Sequence, residues 1–387
     1  MLCPNCNQGE LRVVYETLGV PTNSVLLLDT AEEAKAFPTG DIRLGVCDHC
    51  GFVSNTSFDP ALTEYSGRYE PTQSFSGTFN AFHENLADEL IERYDLRDRD
   101  VVEIGCGNGE FLVLLCARGD NRGIGYDPSH DPARGPQPVP DGISFVSDFY
   151  SEAYRDHGGD FVACKMTLEH IHRPDAFVAT VRRAVLDHAT VFFQVPNADY
   201  VFGDVAFWDV YYEHCSYFSL GSLATVFRRN RFDLVDLETT YAEQYLTVVA
   251  SPTDAPTEAS LAAENNLDKT IARVDDFAEA ARASVAEWRA RFGAWKAAGE
   301  TVVLWGGGSK AVAFVTTLGL DDEIAGAVDI NPRKWGYHLA GSGHRVLSPD
   351  DLPDLDPDVI VVMNPVYTDE IAAQCRSIGI DAEIISL

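Results

Sequence analysis

The chain has 387 residues with 45% hydrophobic and 11% aromatic content, so a globular protein of two or three domains is expected rather than a disordered one. Sixty acidic residues against 29 basic ones leave a formal net charge of −31, dispersed along the chain, and such a surface excludes nucleic acid and anionic membrane as natural partners. With only six lysines, the balance resembles that of acidic proteins suited to high salt, where screening removes self-repulsion.

The sequence opens on "MLCPNC", from which no secretory leader is expected, and its longest apolar run, "VVLWGGGSKAVAFVTTLGL", is broken by glycines and a Ser-Lys pair. A soluble, cytoplasmic protein is expected, with a monomer as the simplest state. Two Cys-x-x-C knuckles come first, Cys3 with Cys6 and Cys47 with Cys50. Four thiolates are the ligand set of a closed tetrahedral zinc site, which is structural rather than catalytic. The interval between the knuckles is wider than in a compact zinc ribbon, but a loop excursion costs little closure entropy. Disulfide pairing is disfavoured in a reducing cytosol. His49 reads as an exposed spacer, and Cys106, Cys116, Cys164, Cys215 and Cys375 as buried free thiols.

After a polar, aromatic-rich connection (57–85), "LADELIERYDL" has helical apolar spacing. Short apolar strands then alternate with helices: "DVVEIGCG", "RGIGYDP", "ISFVSD", "DFVACKM" and "ATVFFQVP", closed by a strand pair in "FDLVDLETTYAEQYLTVVAS". That alternation predicts a doubly wound parallel sheet. "SPTDAPTEAS" reads as a linker into a long Ala-rich helical region, and "TVVLWGGGSKAVAFV" opens a second, smaller α/β unit.

The first glycine loop, "VVEIGCGNGEF", holds Gly105, Gly107 and Gly109 directly after a strand. Glycines let a ligand approach the backbone, and the following helix presents free N–H groups. Glu103 lies inside the strand before the loop, and Asp127 ends the next strand, where a carboxylate suits two ribose hydroxyls. The G-x-G-x-G spacing favours S-adenosylmethionine over NAD, with Asp148 and Phe149 placed to meet adenine. His170, beyond the fourth strand, could donate to a substrate or cap local backbone, while His172 reads as surface.

Beyond the fifth strand comes "DVYYEHCSYFS", residues 209–219, dense in polar-tipped aromatics. It falls over the same carboxyl edge as the cofactor loop, so His214 could abstract a proton near a transferable methyl. Glu213 could fix its tautomer, and Tyr211 or His170 could hydrogen-bond a developing enolate. A packing patch with a satisfied histidine is the alternative reading. The second glycine loop, Gly306, Gly307, Gly308, Ser309 and Lys310, could cradle a diphosphate, or serve NAD with Asp329 at the ribose. A turn that only packs the domain is a third possibility.

These residues together resemble the three-domain sugar C-methyltransferases that act on nucleotide-activated ketosugars. The resemblance runs from the paired knuckles through "VEIGCGNGEFL" and "YYEHCSYFS" to "GGGSK", "VDINPRKWGYHLAG" and "MNPVYTDEI". It implies a zinc-binding domain (1–75), a Rossmann-like class I methyltransferase domain (76–252), a helical linker (253–298) and a smaller Rossmann-like α/β domain (299–387) that helps hold a nucleotide sugar. It further implies S-adenosylmethionine and a structural Zn²⁺ as cofactors, and His214 as the base that removes the proton α to the sugar ketone. Glu213, Tyr211, His170 and Tyr69 (in "GRYEPTQSFS") then fall on active-site positions. The rival reading is an O- or N-methyltransferase of small molecules with a structural C-terminal domain.

Overall fold

In β1 (Leu11–Pro21) and β2 (Thr39–Cys47) the chain folds back on itself, pairing antiparallel from Leu11↔Cys47 to Pro21↔Thr39. That register sets the two cysteine knuckles side by side, so the wide interval between them is the two strands and what joins them. Between the strands sits a short helix, Ala31–Lys35, whose N-cap Thr30 accepts from Glu33 N. The short β3 (Val53–Asn55) extends the sheet beside β2. The computed structural model describes every residue except Tyr65, Pro256 and Glu258.

The alternating middle segment gives β4 (Asp100–Ile104), β5 (Arg122–Tyr126), β6 (Ile143–Val146), β7 (Phe161–Lys165), β8 (Thr190–Pro196), β9 (Ser216–Tyr217), β10 (Phe232–Thr240) and β11 (Tyr245–Pro252). Seven of these form one sheet in the order β10-β11-β8-β7-β4-β5-β6, parallel from β4 to β8 and closed by the antiparallel β10–β11 pair. Apolar side chains cover both faces, as a parallel sheet requires. Leu86, Leu90, Leu112 and Leu115 pack one face with Val101 and Phe161, while Val178, Val181, Leu223 and Val226 pack the other with Val102 and Phe193.

The exception is β9, which leaves this sheet and pairs with β3 through Val53↔Tyr217 and Ser54↔Ser216. Residues just after His214 therefore complete the N-terminal sheet, and the sheets do not follow the chain's linear segments.

Helix Leu267–Ala298 buries Val274, Phe277, Ala281 and Phe292 and shares a core with β1, where Tyr15 meets Phe277 edge-on at 5.0 Å. It is a packed strut into the third sheet. That sheet is wholly parallel: β12 (Val302–Trp305), β13 (Gly326–Val328), β14 (Val346–Leu347), β15 (Val359–Val362) and β16 (Glu383–Ser386), in the order β14-β13-β12-β15-β16. Among the described residues no helix is long and apolar enough to cross a membrane.

Ligands in open α/β sheets bind beyond the carboxyl ends of the strands. Here the carboxyl ends of β4, β5, β7 and β8 and those of β12, β13 and β15 open into one shared cavity of about 830 Å³.

Candidate active site

On the central-sheet side, the turn after β4 is held by the strand beside it. Asp127, just past β5, accepts from Gly107 N at 2.9 Å through Oδ2 and from Ser129 N and Oγ at 2.8 and 2.6 Å through Oδ1. Gly105 and Gly107 line the cavity together with Glu103 and Asp127. Gly109 does not: a Cβ there would lie 2.4 Å from the Phe145 ring, and its φ of +88° is left-handed, so it serves helix–sheet packing. Asp148 and Phe149 lie at the cavity's β6 end. Asp148 accepts from Phe149 N and Tyr154 Oη, and Phe149 is 68% exposed, free to cover a planar ring. Because Asp127 both anchors the loop and faces the cavity, D127A should weaken S-adenosylhomocysteine binding by about 2 kcal/mol, roughly thirtyfold, by calorimetric titration.

The aromatic stretch divides in two. Tyr212 and Phe218 are buried core, with Tyr212 Oη accepting from Asp59 N at 2.9 Å and Phe218 against Phe52 at 5.1 Å, while Tyr217 is buried at the cavity wall. Tyr211 and His214 face the cavity. A turn closed by His214 N donating to Tyr211 O brings them together, and Tyr211 Oη lies 3.0 Å from His214 Nε2. The His170 ring stands edge-on to His214, with centroids 4.9 Å apart. Burial drives His214 well below the usual imidazole range, and the Lys310 charge adds to this. Burial also lowers His170 to about 4, so both imidazoles are neutral near pH 7 and one can accept a proton.

Glu213 does not turn toward His214. Its Oε1 accepts from Ser24 N at 2.6 Å and Ser24 Oγ at 2.8 Å, and Ser24 Oγ lies 2.8 Å from Ser309 Oγ of the second glycine loop. Neighbouring residues in this turn point apart, so the expected tautomer-fixing contact is replaced by a clasp joining all three sheets. Burial raises Glu213 to about 7, against the Ser24 bonds.

Glu169 stands closer to the histidines. One carboxylate oxygen of Glu169 and one nitrogen each of His170 and His214 lie within 4.8 Å of one another. Burial pushes Glu169 up to about 8, so it stands there as a neutral acid, the state suited to hydrogen bonding rather than to holding a cation. A carboxyl whose folded pKa is raised contributes stability that is present at low pH and lost as pH climbs from about 4.3 through about 8. The drop in melting temperature between about pH 6 and about pH 9 should therefore be smaller in E169Q than in the wild type. Equal slopes would contradict the burial account.

In the second loop, Gly306, Gly308, Ser309 and Lys310 line the cavity. Gly307 instead donates its N–H to Asp329 Oδ2 at 2.9 Å, repeating the Gly107–Asp127 contact. Lys310 Nζ is paired with Asp209 at 2.6 Å, and Lys334 Nζ with Asp329 at 3.0 Å. Both cations are compensated yet lie at the cavity wall. Tyr69 also lines the cavity, and its carbonyl accepts from Arg134 at 3.0 Å. His172 is exposed, away from it.

At the knuckles, Cys3, Cys6, Cys47 and Cys50 are all buried free thiols. Sγ of Cys3 lies 3.8 Å from Cys50, and Cys6 3.7 Å from Cys47. Disulfide sulfurs would stand about 2.05 Å apart. Zn–S bonds of about 2.3 Å in a tetrahedron give an edge of about 3.8 Å, so the spacing fits a four-thiolate zinc.

Sequence reasoning missed Ser24, Asp209 and Glu70. The signal for the first was a polar run, "PTNS", inside an apolar stretch; Thr22, Asn23 and Ser24 are all buried. Glu70 is fully buried, accepting from Asn331 at 3.2 Å with Arg134 and Arg333 at 3.7 and 3.6 Å. Nothing local marks it.

Comparison with known proteins matches residues 79–237 to a family described as a methyltransferase domain and residues 241–383 to one described as a C-methyltransferase C-terminal domain. C-methyltransferase NovU of Streptomyces niveus is 29% identical over 322 residues, covering 79% of this chain and 76% of that protein. Among solved structures, a Burkholderia thailandensis 1,6-didemethyltoxoflavin-N1-methyltransferase with bound S-adenosylhomocysteine is 18% identical over 44% of this chain and 79% of that one, with a TM-score of 0.36. Magnesium protoporphyrin IX methyltransferase from Synechocystis is 14% identical over 46% of this chain and 84% of that one, with a TM-score of 0.37.

Proposed function

The chain belongs to the C-methyltransferase family, and on that premise we propose that it methylates the carbon next to the ketone of a nucleotide-activated sugar, with His214 as general base. The observation that carries this reading is one cavity lined by two nucleotide-type glycine loops and by Tyr211, His214 and His170. A site for methyl transfer alone would need one such loop.

Gly105, Gly107 and Asp127 would hold S-adenosylmethionine, which supplies a methyl already activated on sulfonium. Ser309, Lys310 and Lys334 would face the diphosphate, since their donors and charges suit phosphate oxygens. A substrate entering between them displaces Tyr211 Oη from His214 Nε2. The freed nitrogen then takes the proton from the carbon α to the ketone, and the C–H electrons become the enolate. Burial holds the Tyr211 phenol well above its usual pKa, so its hydroxyl stays protonated and donates to the enolate oxygen. The cavity walls would exclude water that could otherwise reprotonate the enolate carbon; that carbon would take the sulfonium methyl, with the S–CH3 electrons leaving on S-adenosylhomocysteine.

We further propose that Cys3, Cys6, Cys47 and Cys50 bind one structural zinc, and that the enzyme works as a monomer. Titration with S-adenosylhomocysteine, followed by nucleoside diphosphates in its presence, tests the pairing of sites. Binding of both is expected. Binding of the first alone would reduce the C-terminal domain to scaffold and favour a small-molecule O- or N-methyltransferase.

A further inference from the structure

Four parallel strands end side by side in the cofactor half of the cavity, in the order β7, β4, β5, β6. At their carboxyl ends stand, in turn, Lys165, the glycine loop after Ile104, Asp127, and the Asp148–Phe149 pair. The chemistry along this row runs from a cation through backbone amides and a ribose acceptor to an aromatic ring. S-adenosylmethionine, on the reading proposed above, carries its groups in a matching order: amino-acid end, sulfonium, ribose, adenine. With the ribose at Asp127 and adenine toward β6, the amino-acid end runs toward β7.

Lys165 is the last residue of β7 and is 8% exposed. Its Nζ lies 2.8 Å from His83 Nε2 and 3.6 Å from the centroid of the Phe111 ring. Lys165, His83 and Phe111 all line the cavity. Burial holds His83 far below the usual imidazole range, so that ring is neutral and accepts from the ammonium. A buried ammonium is costly unless an anion meets it. Glu103 and Glu110 attract Lys165 through space and oppose the lowering by burial. Neither completes an ion pair with it among the described residues: Glu110 accepts from Thr72 Oγ1 at 2.8 Å, and Glu103 takes a backbone bond from Leu112. The ammonium therefore faces the cavity with a neutral partner, an aromatic ring beneath it, and no direct counter-anion.

We propose that Lys165 binds the α-carboxylate of S-adenosylmethionine and so fixes the amino-acid end of the cofactor at β7. The inference rests on the cofactor reading, but not on the identity of the methyl acceptor. A purely structural Lys165, present to balance buried Glu103, would behave differently on removal.

The test compares S-adenosylhomocysteine with 5′-methylthioadenosine, which keeps the nucleoside and thioether but lacks the amino-acid end. In K165M and in K165Q, affinity for S-adenosylhomocysteine should fall at least about tenfold, while affinity for methylthioadenosine stays within about twofold. The unchanged second ligand also reports that the variants are folded. A parallel loss for both ligands would overturn the inference in favour of the structural role, as would no loss for either. Wild-type enzyme that bound neither ligand would overturn the cofactor reading itself, and this inference with it.

Discussion

Replacing His214 by alanine should lower turnover by about 10²–10⁴-fold while leaving S-adenosylhomocysteine affinity within about twofold. The expectation follows from position and protonation together. His214 lines the cavity that both glycine loops line, with Tyr211 Oη 3.0 Å from its Nε2. Among the described residues its side chain bonds to Tyr211 and not to the Asp127 loop that would hold the cofactor, so its loss should fall on the chemical step. Burial depresses its pKa well below the usual imidazole value, so the base form persists into mild acid. The acid limb of kcat assigned to His214 should accordingly lie well below about pH 6.5. A variant with near-normal turnover, or one that lost cofactor binding in proportion to rate, would remove the assignment.

Replacing Cys47 or Cys50 by serine should unfold the N-terminal sheet and take the active site with it. A structural zinc bound by four thiolates contributes on the order of 10 kcal/mol to folding, comparable to the whole stability of a typical domain of about 5–15 kcal/mol. The knuckles do not stand apart from the chemistry here. Their cysteines share a core with Phe52, Phe218 and Leu223, and Asn5 Nδ2 donates to Ser222 O at 2.9 Å. From there β3 pairs with β9, and Ser54 Oγ donates to Cys215 O at 3.0 Å, one residue past His214. Losing the metal should therefore abolish activity as well as lower the melting temperature by many degrees. One zinc per chain by elemental analysis in the wild type, and less in C47S, checks the cause. A C47S variant that melted like the wild type and held the same zinc would contradict it.

What could be read from the sequence was what depends on local backbone. The strand–glycine–helix units at residues 101–119 and 302–318 follow from apolar runs, left-handed glycines and a helix start, all within a few positions. The acid at the end of the following strand could be read for the same reason, and Asp127 and Asp329 both brace their loops. Side-chain direction and long-range pairing could not be read. Glu213 is adjacent to His214 in sequence yet bonds to Ser24, 189 positions away. Lys310 meets Asp209 across 101 positions, so the cation of the second loop already has a counter-charge. Gly109 and Gly307 fitted a ligand-loop pattern but serve packing and loop bracing, because spacing does not say which N–H points outward. The pairing of β9 with β3 depends on the whole assembly, and no periodicity in two residues could announce it.

The most direct measurement follows the proton. A nucleotide-linked ketosugar incubated with the enzyme and S-adenosylhomocysteine in deuterated water should gain deuterium at the carbon α to the ketone, observed by NMR. The H214A variant should show no exchange above the uncatalysed background. Exchange in the wild type that depends on His214 is the result this account predicts. A bound ketosugar that kept its proton with the wild-type enzyme would contradict carbon methylation through an enolate.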